Sequence, residues 1–83
     1  MNKVEEIEDL IAGSDFHPVL LDGFDDAIIG LSHSYESVIY DLDKIISVLI
    51  SRDGMNYDQA IEFFEYSIDA HYGEGSPIFC NVI

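Results

Sequence analysis

Four carboxylates in the sequence are spaced so that they can form one charged surface. Asp58, Glu62, Glu65 and Asp69 follow one another at intervals of four, three and four residues. On an α-helix this spacing places neighbouring Cβ atoms roughly 5–6 Å apart along one stripe, a distance comparable to that between successive backbone phosphates. Like charges at this spacing repel each other, and surface helices usually alternate them with Lys or Arg. The stripe therefore favours binding to a basic surface, with a merely solvated helix face as the alternative.

Further carboxylates of the same sign lie in three other segments. The N-terminal segment carries Glu5, Glu6, Glu8 and Asp9, and a turn around Gly23 carries Asp22, Asp25 and Asp26. We predict that these residues and the stripe form a partner-binding surface, because a summed field of one sign attracts basic partners. Asp41 and Asp43 have a structural explanation, since acidic residues at the start of a helix cap its amides. Asp22 and Asp25 also suit a tight turn.

No pattern in the sequence predicts catalysis, a metal or a cofactor. The acidic segments lack the fixed offsets of a calcium loop, and His17, His33 and His71 share no ligand spacing with one another or with Cys80. Cys80 is the single Cys and lies in an apolar segment, where an inert buried thiol is more common than a nucleophile. Neither a nucleophile elbow nor a phosphate-binding glycine loop is present. We therefore expect a protein that is not an enzyme.

The composition combines an ordinary interior with a strongly acidic exterior. The 83 residues are 48% hydrophobic, enough for one core, so we expect a single domain over 1–83, to which the acidic helix of 1–13 can form an appendage. Seventeen Asp and Glu against three Lys and Arg give a net charge of −14. Nucleic acids and anionic membranes are poor partners, because binding to phosphate needs cations. We expect a basic protein surface as partner and, without a signal peptide or membrane span, a cytoplasmic location.

The first half of the chain is predicted to form one helix and three strands. Apolar residues recur at helical spacing over 2–12, with Asn2 and Glu5 in capping-box positions and Gly13 as a stop. Strands are predicted at 17–22, 27–32 and 37–40, and in the turn after the first of them Gly23 can adopt a positive φ. Gly30, in the middle of the second strand, indicates a bulge or a closely packed neighbour.

The second half is predicted to form two helices and a last strand. Isoleucine and leucine residues at intervals of three and four define a helix from Asp41 to Gly54. Asn56 and Gln59 form a capping box ahead of a third helix, which ends near 72–73, and a strand follows Pro77. We therefore expect an α+β fold in the order α-β-β-β-α-α-β, with a three-stranded antiparallel meander, a C-terminal strand and helices packed on one sheet face.

Five segments of the chain resemble a group of short phage and prophage proteins of largely unknown function. They are Asp22-Gly-Phe-Asp-Asp-Ala-Ile-Ile-Gly, Val38-Ile-Tyr-Asp, Arg52-Asp-Gly-Met, Glu62-Phe-Phe-Glu and Gly73-Glu-Gly-Ser-Pro-Ile-Phe, with Lys44 and Ala60 between them. The resemblance covers residues 18–79 and leaves the first helix outside the shared pattern. It implies an origin in a mobile element and carries over no catalytic residue.

Charge and resemblance together favour an inhibitor of host defence. Small acidic phage proteins frequently mimic DNA in front of a nuclease complex or cover its nucleic-acid channel. We therefore expect an anti-CRISPR or anti-restriction protein in the host cytoplasm, a DNA mimic that binds a basic nucleic-acid-binding subunit. The alternative is a structural or regulatory phage protein that forms a homodimer through a sheet edge or an apolar patch, its charge serving solubility. A third hypothesis is a catalytic accessory protein that uses Cys80.

Overall fold

The computed structural model describes residues 3–68 and 75–83, in which helices pack against a three-stranded sheet. Its elements in chain order are α1 (Lys3–Ile11), a 3-10 turn (Asp25–Ala27), β1 (Ile28–Leu31), β2 (Val38–Asp41), α2 (Leu42–Asp53), α3 (Tyr57–Phe63), a π-helical turn (Phe64–Ile68) and β3 (Ile78–Cys80). The α+β fold class expected from the sequence is confirmed.

The sheet is mixed, with the strand order β1-β2-β3. β1 pairs with β2 in the antiparallel direction, whereas β2 pairs with β3 in the parallel direction, with Tyr40 opposite Phe79. The antiparallel pairing expected between the second and third predicted strands is present, whereas the C-terminal strand, whose direction the sequence left open, pairs in parallel. Parallel neighbours need a long crossover connection, and the chain between β2 and β3 passes through α2 and α3, which supply it.

Residues 17–22, predicted as the first strand, form no strand. The segment is tied down by separate hydrogen bonds, since the Val19 amide donates to the Gly75 carbonyl at 3.0 Å and the Leu21 amide donates to the Tyr40 hydroxyl at 2.8 Å. Leu21 is buried and Leu20 is exposed, so successive side chains alternate between core and solvent as they would in a strand, but within an extended loop. Alternation of this kind fits any extended segment that lies against a core, whether or not it pairs in a sheet.

Gly30 marks a bulge in β1, one of the two alternatives that the sequence left open. Ile28 lies opposite Tyr40 and Gly30 opposite Ile39, so Ile29 is an extra residue without a partner in β2. The Lys3 ammonium of α1 donates a hydrogen bond to the carbonyl of Ile28, the first residue of β1. A bulge, a lysine and a covering helix are features that block the pairing of an exposed sheet edge.

The predicted start and end of α2 and the predicted start of α3 are confirmed. Asp41 caps α2 through a 3.4 Å hydrogen bond from the Lys44 amide, and Gly54 ends it in the left-handed conformation at a φ of +73°. The Asn56 side chain accepts from the Gln59 amide at 2.9 Å, and the Gln59 side chain accepts from the Asn56 amide at 3.0 Å. These two bonds are a complete capping box. The capping box predicted for α1 needs Asn2, which lies outside the described residues.

The core lies between the sheet and the helices. Its largest fully buried side chains are Tyr40, Ile28, Ile45, Leu49 and Val38. The Phe64 ring meets the Phe79 ring edge-on with 4.7 Å between centroids, and this contact joins the π-helical turn to β3. Ile7 of α1 is buried in the same cluster, so the acidic N-terminal helix packs on the core.

Candidate partner-binding surface

The predicted acidic stripe lies on the solvent side of α3 and the π-helical turn. Asp58, Glu62 and Glu65 are exposed, and the same stretch buries Ala60, Phe64 and Ile68. Within residues 3–68 and 75–83, none of these three carboxylates forms an ion pair or a hydrogen bond. Asp69, the fourth predicted member, lies outside the described residues, as do His71 and the predicted helix end near 72–73.

The helix that carries the stripe changes its geometry at Phe64. The α-helical turns of Tyr57–Phe63 are followed by the π-helical turn, whose hydrogen bonds join residues five apart instead of four. The even spacing predicted from Asp58 onward therefore holds as far as Phe64 and changes before Glu65. Short π-helical turns within helices occur often at functional sites.

Aromatic side chains lie among the acidic ones on α3. Tyr66 is 75% exposed and Phe63 is 39% exposed. Both line a shallow depression at the junction of α2 and α3, here named the α2–α3 concavity, whose other lining residues include Asp53, Met55, Gln59 and Glu62. Neither ring belongs to the surface predicted from the sequence, although residues 59, 62, 63 and 66 recur at helical spacing and could have indicated a shared face.

The remaining predicted carboxylates form a second group around α1. Those of α1 (Glu5, Glu6, Glu8 and Asp9) and those of the loop (Asp22, Asp25 and Asp26) are all exposed. α1 packs against the 3-10 turn that contains Asp25 and Asp26, so the fold brings these two acidic segments together. α2 packs against both the 3-10 turn and α3, and it connects this second group to the stripe on α3.

Two of the three cations in the chain are engaged by main-chain carbonyls. Lys3 donates to Ile28, and Arg52 donates from Nη1 to the Gly23 carbonyl at 2.9 Å. Lys44 is exposed at the start of α2. Lys3 and Arg52 are therefore directed at the fold itself, and among residues 3–68 and 75–83 neither pairs with a carboxylate of α3.

Arg52 is held by three different groups at once. Its Nε and Nη2 donate to the two carboxylate oxygens of Asp53 at 3.0 and 3.1 Å, and its Cζ lies 4.9 Å from the centroid of the Phe24 ring. The hydrogen bond from Arg52 lowers the pKa of Asp53, and the same bond raises the pKa of Arg52. This cluster fastens the end of α2 to the acidic loop of 22–26.

The described residues contain no group of three or more metal-ligating side chains that could hold a metal ion. Cys80 is a half-buried free thiol opposite Asp41 in the β2–β3 pair. No helix among the described residues combines the length and the apolar character that crossing a membrane requires.

No family model, curated protein or solved structure matches the chain. The candidate surface is therefore described by its own geometry alone, that of an acidic face with exposed aromatic rings.

Proposed function

We propose that the chain is a phage-borne inhibitor of a host nucleic-acid-targeting defence complex. It acts as an acidic DNA mimic that occupies a basic nucleic-acid-binding surface of that complex, as an anti-CRISPR or anti-restriction protein does. The observation that carries the proposal is a row of exposed carboxylates, Asp58 and Glu62 on α3 and Glu65 in the π-helical turn, none of which has a partner within the part of the chain that the structure describes. The resemblance of residues 18–79 to short phage proteins supports the mobile-element origin.

The distribution of charge favours a basic protein partner over nucleic acid. With a net charge of −14 and two of its cations turned toward main-chain carbonyls, the surface presents little that attracts phosphate. A field of one sign accelerates the encounter with a positively charged groove and disfavours acidic partners. Solubility alone does not require this density, because self-repulsion destabilises the compact state.

Competition with DNA tests the proposal. Purified restriction and CRISPR effector complexes are incubated with labelled duplex DNA, and the chain is titrated in while bound DNA is measured. The inhibitor should displace DNA from one of them, and the apparent affinity should fall as salt rises, because the Debye length shortens from about 10 Å at 0.1 M to about 3 Å at 1 M.

Two triple variants test whether the α3 row is the contact. The first variant removes three charges from the row through Asp58→Asn, Glu62→Gln and Glu65→Gln. Each ion pair between an exposed carboxylate and a cation of the partner is worth about 0.2–1 kcal/mol, so inhibition should weaken by about three- to a hundred-fold. The matched control removes the same charge from α1, through Glu6→Gln, Glu8→Gln and Asp9→Asn, and should weaken inhibition less. The proposal is wrong if no complex loses DNA or if the α3 variant inhibits as well as the parent.

A homodimeric structural or regulatory protein is the second candidate, and one feature favours it. Leu10 is 56% exposed and Ile29 is 47% exposed, and both line a groove between α1 and the edge strand β1. Sedimentation at low and high salt separates the two candidates. A dimer held by this apolar groove should persist or strengthen at high salt, since salt screens the repulsion between two acidic copies, and Ile29→Lys should dissociate it.

A further inference from the structure

Two exposed aromatic rings in the α2–α3 concavity distinguish it from a simple acidic surface. Phe63 and Tyr66 lie there with Met55, and Glu62, which directly precedes Phe63, lines the same concavity. Aromatic and methionine side chains are enriched in protein interfaces and dominate their binding energy, whereas charged residues are depleted from interface centres. DNA mimicry by charge alone does not require these rings on the solvent side of α3.

The chain contains its own example of how an arginine is held. The Arg52 guanidinium lies over the Phe24 ring and forms a two-pronged hydrogen bond with the Asp53 carboxylate. An aromatic face together with a carboxylate is therefore a combination that binds guanidinium within this fold. The α2–α3 concavity presents the same two kinds of group, Tyr66 or Phe63 as the ring and Glu62 as the carboxylate, and within the described residues Glu62 has no partner.

We infer that the α2–α3 concavity docks an arginine side chain from a basic protein segment, with the guanidinium stacked on Tyr66 and paired with Glu62. The inference rests on the proposed function, since it names the contact through which the basic partner is recognised. Charge complementarity selects this occupant: Glu62 lies in the concavity, Asp58 precedes it on α3 and Glu65 follows in the π-helical turn, and among the described residues no cation pairs with any of the three. Asp53 at the rim is already paired with Arg52.

Arginine fits the concavity better than lysine for a geometric reason. Guanidinium is planar, presents a fork of donors that matches a carboxylate and stacks on aromatic rings, whereas the lysine ammonium is a compact and strongly hydrated charge. A second copy of the chain is a poor occupant, because each copy carries a charge of −14.

Two synthetic peptides of equal length and charge test the inference, one alternating Arg with Gly and the other alternating Lys with Gly. Their dissociation constants for the full chain are measured by calorimetry. The Arg peptide should bind about two- to five-fold more tightly, the ratio that corresponds to an exposed cation–π contact. Tyr66→Leu should abolish this preference and Tyr66→Phe should retain it. Tyr57→Leu, an exposed tyrosine of the same helix outside the concavity, is the matched control and should leave the preference intact.

A pair of glutamates separates local docking from bulk charge. Glu62→Gln and Glu65→Gln each remove one exposed carboxylate from the same helix, but only Glu62 lines the concavity. Glu62→Gln should weaken Arg-peptide binding by up to about five-fold more than Glu65→Gln does. Thermal unfolding of every variant checks that the fold is intact.

Three results overturn the inference: equal affinity for the two peptides, no binding of either, or equal losses from the two glutamate variants. DNA competition is measured separately, so the two proposals fail in different ways. If DNA is displaced but the Arg peptide has no preference, the docking mode is wrong and the proposed function stands. If the Arg preference holds while no complex loses DNA, the basic partner lies outside DNA-binding defence.

Discussion

One of the two hydrogen bonds that hold the loop of residues 17–22 uses a buried hydroxyl. The Tyr40 side chain is fully buried, and its hydroxyl accepts from the Leu21 amide at 2.8 Å. Tyr40→Phe keeps the ring and its packing but removes this acceptor. The Leu21 amide has no other acceptor among the described residues, so the variant leaves a buried donor unsatisfied.

The size of the effect follows from that missing acceptor. An unsatisfied buried donor costs about 1–3 kcal/mol of the free energy of unfolding. For a domain of this size each kcal/mol lowers the melting temperature by roughly 4–8 °C, so a fall on the order of 4–24 °C is expected. Tyr57→Phe is the matched control, because Tyr57 is 63% exposed and its hydroxyl forms no hydrogen bond with a described residue.

Thermal unfolding and amide hydrogen exchange measure the two consequences. In Tyr40→Phe the melting temperature should fall, and the Leu21 amide should lose protection more than the amides of α2. An unchanged melting temperature would refute the anchoring role of the hydroxyl. If instead alternate amides across 17–22 kept their protection in the variant, the segment would be a paired strand, and the loop description would be wrong.

The caps and the arginine contact give three further tests. Asn56→Ala removes the cap of α3 and should lower the free energy of unfolding by about 0.5–2 kcal/mol in urea titrations; an unchanged midpoint contradicts this. Gly23→Ala, at a φ of +85°, places a Cβ 2.6 Å from Nη1 of Arg52, whereas Gly13→Ala, at a φ of +83°, meets nothing within 4 Å. Backbone strain should lower the free energy of unfolding of both variants by about 1–2 kcal/mol, and the fall should be larger for Gly23→Ala. Equal falls in the two variants would show that the Arg52 contact contributes nothing to stability. The pKa of Asp53 is lowered from 3.8, so its contribution to stability is present at neutral pH and is lost as the pH falls through the lowered pKa. Asp53→Asn should therefore destabilise the chain at neutral pH and have little effect in strong acid, and equal unfolding midpoints for parent and variant at neutral pH would exclude this role.

Local signals in the sequence were sufficient to place the helix caps and the bulge. Asn56 with Gln59, Asp41 and Gly54 act within a few residues of their own positions, so their side-chain chemistry and backbone freedom determine the outcome. Gly30 likewise marked the position where β1 departs from regular pairing.

Local sequence patterns did not predict which distant segments pair in the sheet, or in which direction. Residues 17–22 have the apolar run of a strand, but they lie against Tyr40 and Gly75 through single hydrogen bonds. The parallel direction of β3 depends on where α2 and α3 deliver the chain, which no residue in 78–80 indicates.

The candidate surface also has a part that the sequence predicts and a part that it does not. Exposure of the carboxylates was predictable, because an unpaired charge is costly to bury. Exposure of Phe63 and Tyr66 was not, because composition alone assigns aromatic rings to the core. Which rings face solvent depends on how α3 sits against α2 and on the π-helical turn at Phe64–Ile68.

The parallel pairing of β2 and β3 also affects how tightly α3 can bind. α3 lies in the connection between two neighbouring strands, and the Phe64 ring beside it is packed on Phe79 of β3. A partner that meets α3 thus encounters a helix whose position is already set by folding. Ordering a flexible segment opposes association by about 0.5–1.5 kcal/mol for each side chain immobilised. Preorganisation of α3 restricts that entropic loss to its exposed side chains, so binding of the proposed basic partner would not have to include the folding of this helix.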